Sequence, residues 1–91
     1  MKIISWDPAK NAVLRTERGV SFEDVVIHIQ AGDILETYDH PNQSRYPGQQ
    51  VHAIRMDEYV YLVPFVESEE EVFLKTIIPS RKATKQYRGP R

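Results

Sequence analysis

Eight consecutive residues, Tyr59-Val-Tyr-Leu-Val-Pro-Phe-Val66, are apolar at both parities of a β-strand. Side chains of a strand alternate between two faces, so a run that is apolar on both is covered on both and belongs in the middle of a sheet. The rest of the chain must supply its neighbours and its covering layers. Pro64 has no amide to donate, so the same run predicts a bulge or an end of pairing at that point.

Two further β-rich runs flank it, residues 51–56 and 72–78, separated from it by Asp57-Glu58 and by an acidic corner at 67–71. Together they predict an antiparallel meander. If Asp57-Glu58 is a two-residue turn, Met56 faces Tyr59 and Ile54 faces Tyr61, and Arg55 shares the opposite face with Val60 and Leu62. A tight Glu69-Glu70 turn carries the same parity on and puts Lys75 on the face of Arg55. A mid-strand cation on an apolar face is costly unless it reaches water or a partner, which makes Arg55 and Lys75 candidate site residues. Neither turn carries Asn-Gly, and a one-residue slip would exchange the two faces.

Ahead of the meander, residues 2–6 read as a first strand. Asp7-Pro8 then starts a helix, because Asp accepts from first-turn amides and Pro is tolerated where no amide is needed. The helix runs to about Arg18, with Ala9, Val13 and Thr16 at helical spacing, Arg15 and Arg18 in the last turn, and Gly19 as a left-handed cap. Ser21 caps a second helix with Asp24 as the capping-box acid, and Val20 is placed to staple onto Val25. Phe22, Val25, Val26 and Ile29 form its apolar stripe, His28 sits at the edge as a packing or solvated residue rather than a catalytic one, and Gly32 ends it. Residues 33–39 make a strand with Ile34, Leu35 and Tyr38. The irregular segment 40–50 is long enough to be functional, with His40 and Arg45 as its candidates, or else a solvated Ω-loop. Pro79 stops the last strand and Ser80 caps a short helix over 81–88. The expected fold is α+β: two N-terminal helices packed on a small antiparallel sheet, with a short basic C-terminal helix, in a single domain over residues 1–91. A chain of this size buries roughly 60–65% of its unfolded surface, enough for a core.

Charge is segregated along the chain. Residues 73–91 hold six of the twelve basic residues (Lys75, Arg81, Lys82, Lys85, Arg88, Arg91) and no acid, while residues 1–72 hold all thirteen acids. Arg81, Lys85 and Arg88 fall at i, i+4 and i+7, which gathers like charge on one helix face at a small cost in isolation. That pattern fits a footprint for phosphate or a dock for an acidic chain; a plain solvated helix end is the alternative. The sequence has no Cys, which excludes disulfides, thiolate catalysis and cysteine zinc sites. No run of about 18 apolar residues and no signal-peptide h-region is present, so an intracellular, cytoplasmic chain with no membrane contact is expected. His40 and His52 lack metal-ligand spacing, and no phosphate loop, nucleophile elbow or dinucleotide fingerprint occurs, so neither metal nor cofactor is expected.

Trp6-Asp-Pro-Ala-Lys10, Arg18-Gly-Val-Ser-Phe-Glu-Asp24 and Ile77-Ile-Pro-Ser-Arg-Lys-Ala-Thr84 before a basic helix resemble, in the same order and over nearly the whole chain, the BrnT-type toxins of bacterial type II toxin–antitoxin systems. The resemblance implies a RelE-like fold and a metal-independent ribonuclease that arrests translation. It also implies RNA as substrate and a cognate antitoxin, a small DNA-binding protein, with a homodimer or a toxin–antitoxin hetero-oligomer as the assembly. Arg81 and Lys82 align with the family's basic pair. Where the family commonly carries Arg in the last strand, this chain has Thr76, and where it commonly has Asn and His, this chain has Leu14 and Arg18.

Metal-free RNA cleavage moves the 2′-hydroxyl onto phosphorus, so a site must take up that proton, stabilise the phosphorane oxygens and protonate the leaving oxygen. Arg81 and Lys82 are placed to clamp the phosphate, Lys75 or Arg55 to oppose the developing charge, and Tyr87 or His52 to move a proton or stack on a base. The expected catalytic set is Lys75, Arg81, Lys82 and Tyr87, with Arg55, His52, Lys85 and Arg88 binding RNA. The rival reading is a catalytically silent RNA- or protein-binding module of the same fold. A DNA-binding subunit is less well supported, for the chain lacks a helix-turn-helix.

Overall fold

The computed structural model describes residues 2–88, apart from the side chain of Arg88. Its elements run β1 (Ile3–Trp6), α1 (Pro8–Arg18), α2 (Phe22–Gln30), β2 (Ile34–Asp39), β3 (Gln49–Met56), β4 (Tyr59–Glu67), β5 (Glu71–Leu74), β6 (Ile78–Pro79) and α3 (Arg81–Arg88). The strands form one six-stranded sheet of order β1-β5-β4-β3-β2, with β6 beside β4. The protein is α+β, but the sheet is mixed rather than antiparallel: β1 lies parallel to β5. A parallel neighbour needs a long connection, and here α1, α2 and the whole meander intervene. β4 is central, as its two apolar faces require.

Asp57 and Glu58 both take left-handed backbone, with φ of 54° and 65°. That is the two-residue hairpin whose twist matches the strands, made without glycine. It sets Met56 against Tyr59, Ile54 against Tyr61 and Arg55 against Val60, the expected register. The next turn, at Glu69-Glu70, closes with the Ser68 amide on the Glu71 carbonyl at 2.8 Å.

The last strand is not continuous over 72–78. Phe65 pairs with Leu74 and Leu62 with Ile78, so β4 advances three residues while its partner advances four. The extra residue falls opposite Pro64, whose carbonyl accepts from the Lys75 amide at 2.8 Å but which cannot donate in return. A strand residue's N–H and C=O point to the same side, so the missing donor faces the irregularity. The shift turns Ile77 inward, where it is fully buried.

A second irregularity lies in β2. Ile34 pairs with Ile54, but Glu36 pairs with Ala53, leaving Leu35 as the added residue. Without it Ile34 and Glu36 would share a face. With it, Ile34 packs against the core while Glu36 and Tyr38 join Ala53 and Leu62 on the other side.

That core joins Leu14 of α1 and Phe22 and Val25 of α2 to Ile54, Met56, Val63, Phe65, Leu74 and Ile77. Each large side chain fully buried there contributes roughly 2 kcal/mol. Asp7 caps α1 by accepting from Ala9, and Gly19 closes it at φ 67°. Ser21 and Asp24 form the capping box of α2. Ala31 is the cap at its other end, with Gly32 beyond it at φ 85°. The buried face of α1 is not the Ala9–Val13–Thr16 one: Val13 is 45% exposed, and Asn11 and Leu14 are buried instead. Asn11 tolerates burial because its carbonyl accepts from the Phe22 amide at 2.8 Å and its amide donates to Glu23 at 2.7 Å. The Asn11 bond is the leading reason the Glu23 carboxyl titrates below its usual range.

Candidate nucleic-acid interface

Ser80 starts α3 by accepting from the Ala83 amide at 3.1 Å. Thr84 then anchors the helix to β4, its hydroxyl accepting from the Val60 amide at 2.8 Å. From there α3 crosses the sheet on the side away from the apolar core. Near its end the Arg55 guanidinium donates to the Tyr87 carbonyl at 3.3 Å, a cation placed against the negative end of the helix. The Tyr87 phenol reaches β2 and donates to Glu36.

Thr84 is buried and Ala83 and Tyr87 half-buried, so Arg81, Lys82, Lys85 and Gln86 are turned to solvent. Lys75 lies on the same side of the sheet, its ammonium 5.4 Å from the Phe73 ring centre. Among the described residues Lys75, Arg81, Lys82 and Lys85 enter no ion pair, nor do Lys10, Arg18, Arg45 and Arg55, whereas Lys2 and Arg15 each pair with a Glu. The charges of the C-terminal element are therefore available. The Arg88 side chain and Arg91 lie outside the described residues.

Arg55 and Lys75 share a face, as parity predicts, but not a point. Their neighbours on β4, Val60 and Pro64, are four residues apart, about 13 Å along a strand. His52 is on the opposite face, stacked on Phe65 at 4.1 Å and bonded to Thr37 at 2.7 Å through Nδ1. Burial lowers its pKa, against the pull of Glu67. It is thus separated from Tyr87, Lys82 and Arg81.

Between α3 and β2 runs an open groove of about 320 Å³. Glu36 and Tyr38 form one wall, Ala53 and Leu62 the floor, and Lys82 and Tyr87 the other wall. Tyr87 is held protonated by Glu36, first through the hydrogen bond and then through burial and charge, so that its pKa is pushed up to about 12. Burial, with the Glu36 charge second, also raises Tyr38. Both phenols are neutral donors at physiological pH.

Glu36, Tyr38 and Gln86 of this groove are residues that sequence reasoning missed. Strand alternation points Glu36 the wrong way, and only the added Leu35 corrects it. The segment 40–48, by contrast, is closed on itself. Gln43 bonds the His40 and Gln49 carbonyls and accepts from Gly48, and the His40 and Tyr46 rings lie 4.4 Å apart. Arg45 is directed at Tyr46, with Nε 3.0 Å from its hydroxyl.

Among the described residues no three His, Asp or Glu side chains converge as a metal's ligands would, and no helix is long and apolar enough to cross a membrane. Compared with protein-family models, curated proteins and solved structures, the chain finds no match in any of the three.

Proposed function

We propose that the chain is a BrnT-type toxin of RelE-like fold, an RNA-cleaving protein that arrests translation in the bacterial cytoplasm and is neutralised by a small DNA-binding antitoxin. The observation that carries the reading is α3, whose exposed Arg81, Lys82 and Lys85 form no ion pair and stand beside a groove lined by two tyrosines, with Lys75, also unpaired, on the same face of the sheet farther along β4. Unpaired cations next to aromatic rings are the chemistry that single-stranded RNA meets, through its phosphates and its bases. The ordered motifs around Trp6, Gly19 and Ile77 supply the toxin assignment.

In such a reaction Arg81 and Lys82 grip the scissile phosphate and offset charge on the phosphorane oxygens. Lys75 and Lys85 hold the flanking phosphates. Tyr87, with its proton committed to Glu36, serves as a hydrogen-bond donor or stacking surface rather than as a base. The 2′-hydroxyl proton passes to solvent water as the O2′–P bond forms, and the leaving 5′-oxygen takes a proton from the Lys82 ammonium, which water restores.

Two observations favour the second reading, a catalytically silent RNA-binding module: His52 lies on the other face, and Tyr87 titrates near 12. Induced expression in a bacterium separates the two. Growth arrest with RNA cleavage, both abolished in Arg81→Ala/Lys82→Ala and by co-expressed antitoxin, is the expected result. Normal growth and intact RNA in a well-expressed wild type would sink the toxin assignment.

A further inference from the structure

We infer that the groove between α3 and β2 is a base-reading subsite selective for guanine, with Glu36 as the residue that sets the preference. The inference rests on the RNA-binding reading and adds what that surface recognises.

The starting point is a misplaced charge. Glu36 lies in the same groove as Lys82, one of the unpaired cations, and a carboxylate there repels the phosphates that the cations attract. Its position is built rather than incidental. The extra residue at Leu35 turns it toward α3, and Tyr87 donates to one of its oxygens from the last turn of the helix. A bulge of this kind re-aims a side chain.

An ionised carboxylate is an acceptor only, with room for about four hydrogen bonds over its two oxygens. Tyr87 uses one and fixes the orientation. What remains fits two adjacent N–H donors in one plane, the N1–H and N2–H₂ of a guanine Watson–Crick edge. Uracil offers one N–H on that edge, and adenine and cytosine one amino group beside an acceptor nitrogen, which faces the second carboxylate oxygen unfavourably.

The surroundings suit a flat heterocycle. Tyr38, two residues along β2, and Tyr87, bonded to Glu36, are half-buried in the groove, and Ala53 and Leu62 provide an apolar floor. Lys82 stands at the groove to meet the attached phosphate. The volume, about 320 Å³, is at the small end of ligand pockets, which span roughly 300–1,000 Å³. Splayed bases stacked on aromatic rings and bonded along their Watson–Crick edge are the usual means of reading single-stranded RNA.

The test uses 2′-O-methyl decamers, which cannot be cleaved through the 2′-oxygen: oligouridylate carrying one central G, A, C or U, with affinity measured by fluorescence anisotropy at fixed salt. The G decamer is expected to bind about tenfold more tightly than the other three, one good bidentate pair's worth of discrimination. In Glu36→Gln, where an amide donor faces the guanine donors, the preference should vanish. Titration of the ¹⁵N-labelled wild type with guanosine, adenosine, cytidine and uridine monophosphates gives a check that needs no variant, through the Ala53 and Leu62 amides. Equal binding of all four decamers overturns the inference and leaves the RNA reading standing. Absence of binding to any decamer overturns both. A guanine preference that survives in Glu36→Gln removes Glu36 from the role.

Discussion

The hydroxyl of Thr84 accepts from the Val60 amide at 2.8 Å and donates to the Ser80 carbonyl at 2.7 Å, so one side chain continues the β4 ladder beyond the end of β6. Val60 is 2% exposed and Thr84 7%. Replacing Thr84 by Val keeps the volume but leaves the Val60 amide buried and unbonded, a loss of about 1–3 kcal/mol. Urea unfolding should show that loss for Thr84→Val and little of it for Thr84→Ser. Equal stability of Thr84→Val and wild type would mean that the helix is held by something else.

The β3–β4 hairpin keeps two non-glycine residues in left-handed backbone, Asp57 and Glu58. Asp tolerates this conformation better than Glu, which has no short polar group to bond locally. Asp57→Asn with Glu58→Gly supplies the residues the turn favours, and a gain of about 1 kcal/mol is expected from relief of the Glu58 backbone. Thermal unfolding decides it, and an unchanged or lower Tm would show that the turn is not strained.

Tyr87 connects the groove to a pH dependence in alkali. Its folded pKa is raised from about 10 to about 12, so the phenol's contribution is complete below pH 10 and is lost as pH rises toward 12. Spectrophotometric titration of the phenolate band should show a late step in the folded protein. Glu36→Gln removes the leading cause and should bring that step back toward 10. If the step stays put, the Tyr87–Glu36 bond is not its origin.

His52 works in the opposite direction. Burial lowers its folded pKa from the ordinary 6.5, so the unfolded chain binds the proton more readily. Stability is then fully present above pH 6.5 and falls as pH drops through the folded value. The His52 ring proton should titrate below 6.5 by NMR. Stability measured between pH 7.5 and 5 should decline less in His52→Gln than in wild type, and parallel declines would assign the acid sensitivity to other groups.

Much of this fold is written locally. Asp7, Gly19 and Ser21 act through bonds within a few residues of themselves, and all three take the expected roles. Trp6 stacks on Phe22 at 5.6 Å, so the motif that carries the toxin resemblance contains residues that shape the N-terminal half. Asp57-Glu58 sets the hairpin despite its composition, and the Arg55–Lys75 parity follows from it. What was hidden depends on distant partners. β1 pairs with β5 across almost the whole length of the chain, Ile3 beside Glu71. Asn11 is buried because Phe22 and Glu23 satisfy it, which apolar periodicity cannot register. Glu36 enters the groove through one unpaired residue, Leu35, and a period-two reading of β2 has no mark for that. Pro64 did signal the break in the last strand, because its missing amide is visible in the sequence.

The four available cations give the last prediction. On the RNA-binding proposal, with about 0.7 counterion released per phosphate neutralised on a single strand, contacts by Lys75, Arg81, Lys82 and Lys85 would set a log–log salt slope of about −2.8. A fourfold rise in salt should then weaken binding about fiftyfold. Each alanine substitution should flatten the slope by about 0.7, and Lys10→Ala, on exposed α1, should leave it alone. The individual slopes also map the path of the strand. Lys75 lies beyond the groove along β4, so its removal should shorten the site measured with oligonucleotides of graded length, whereas Lys85→Ala changes the slope at every length. If Lys75→Ala leaves both slope and site length unchanged, the RNA follows α3 without extending over the β5 side of the sheet.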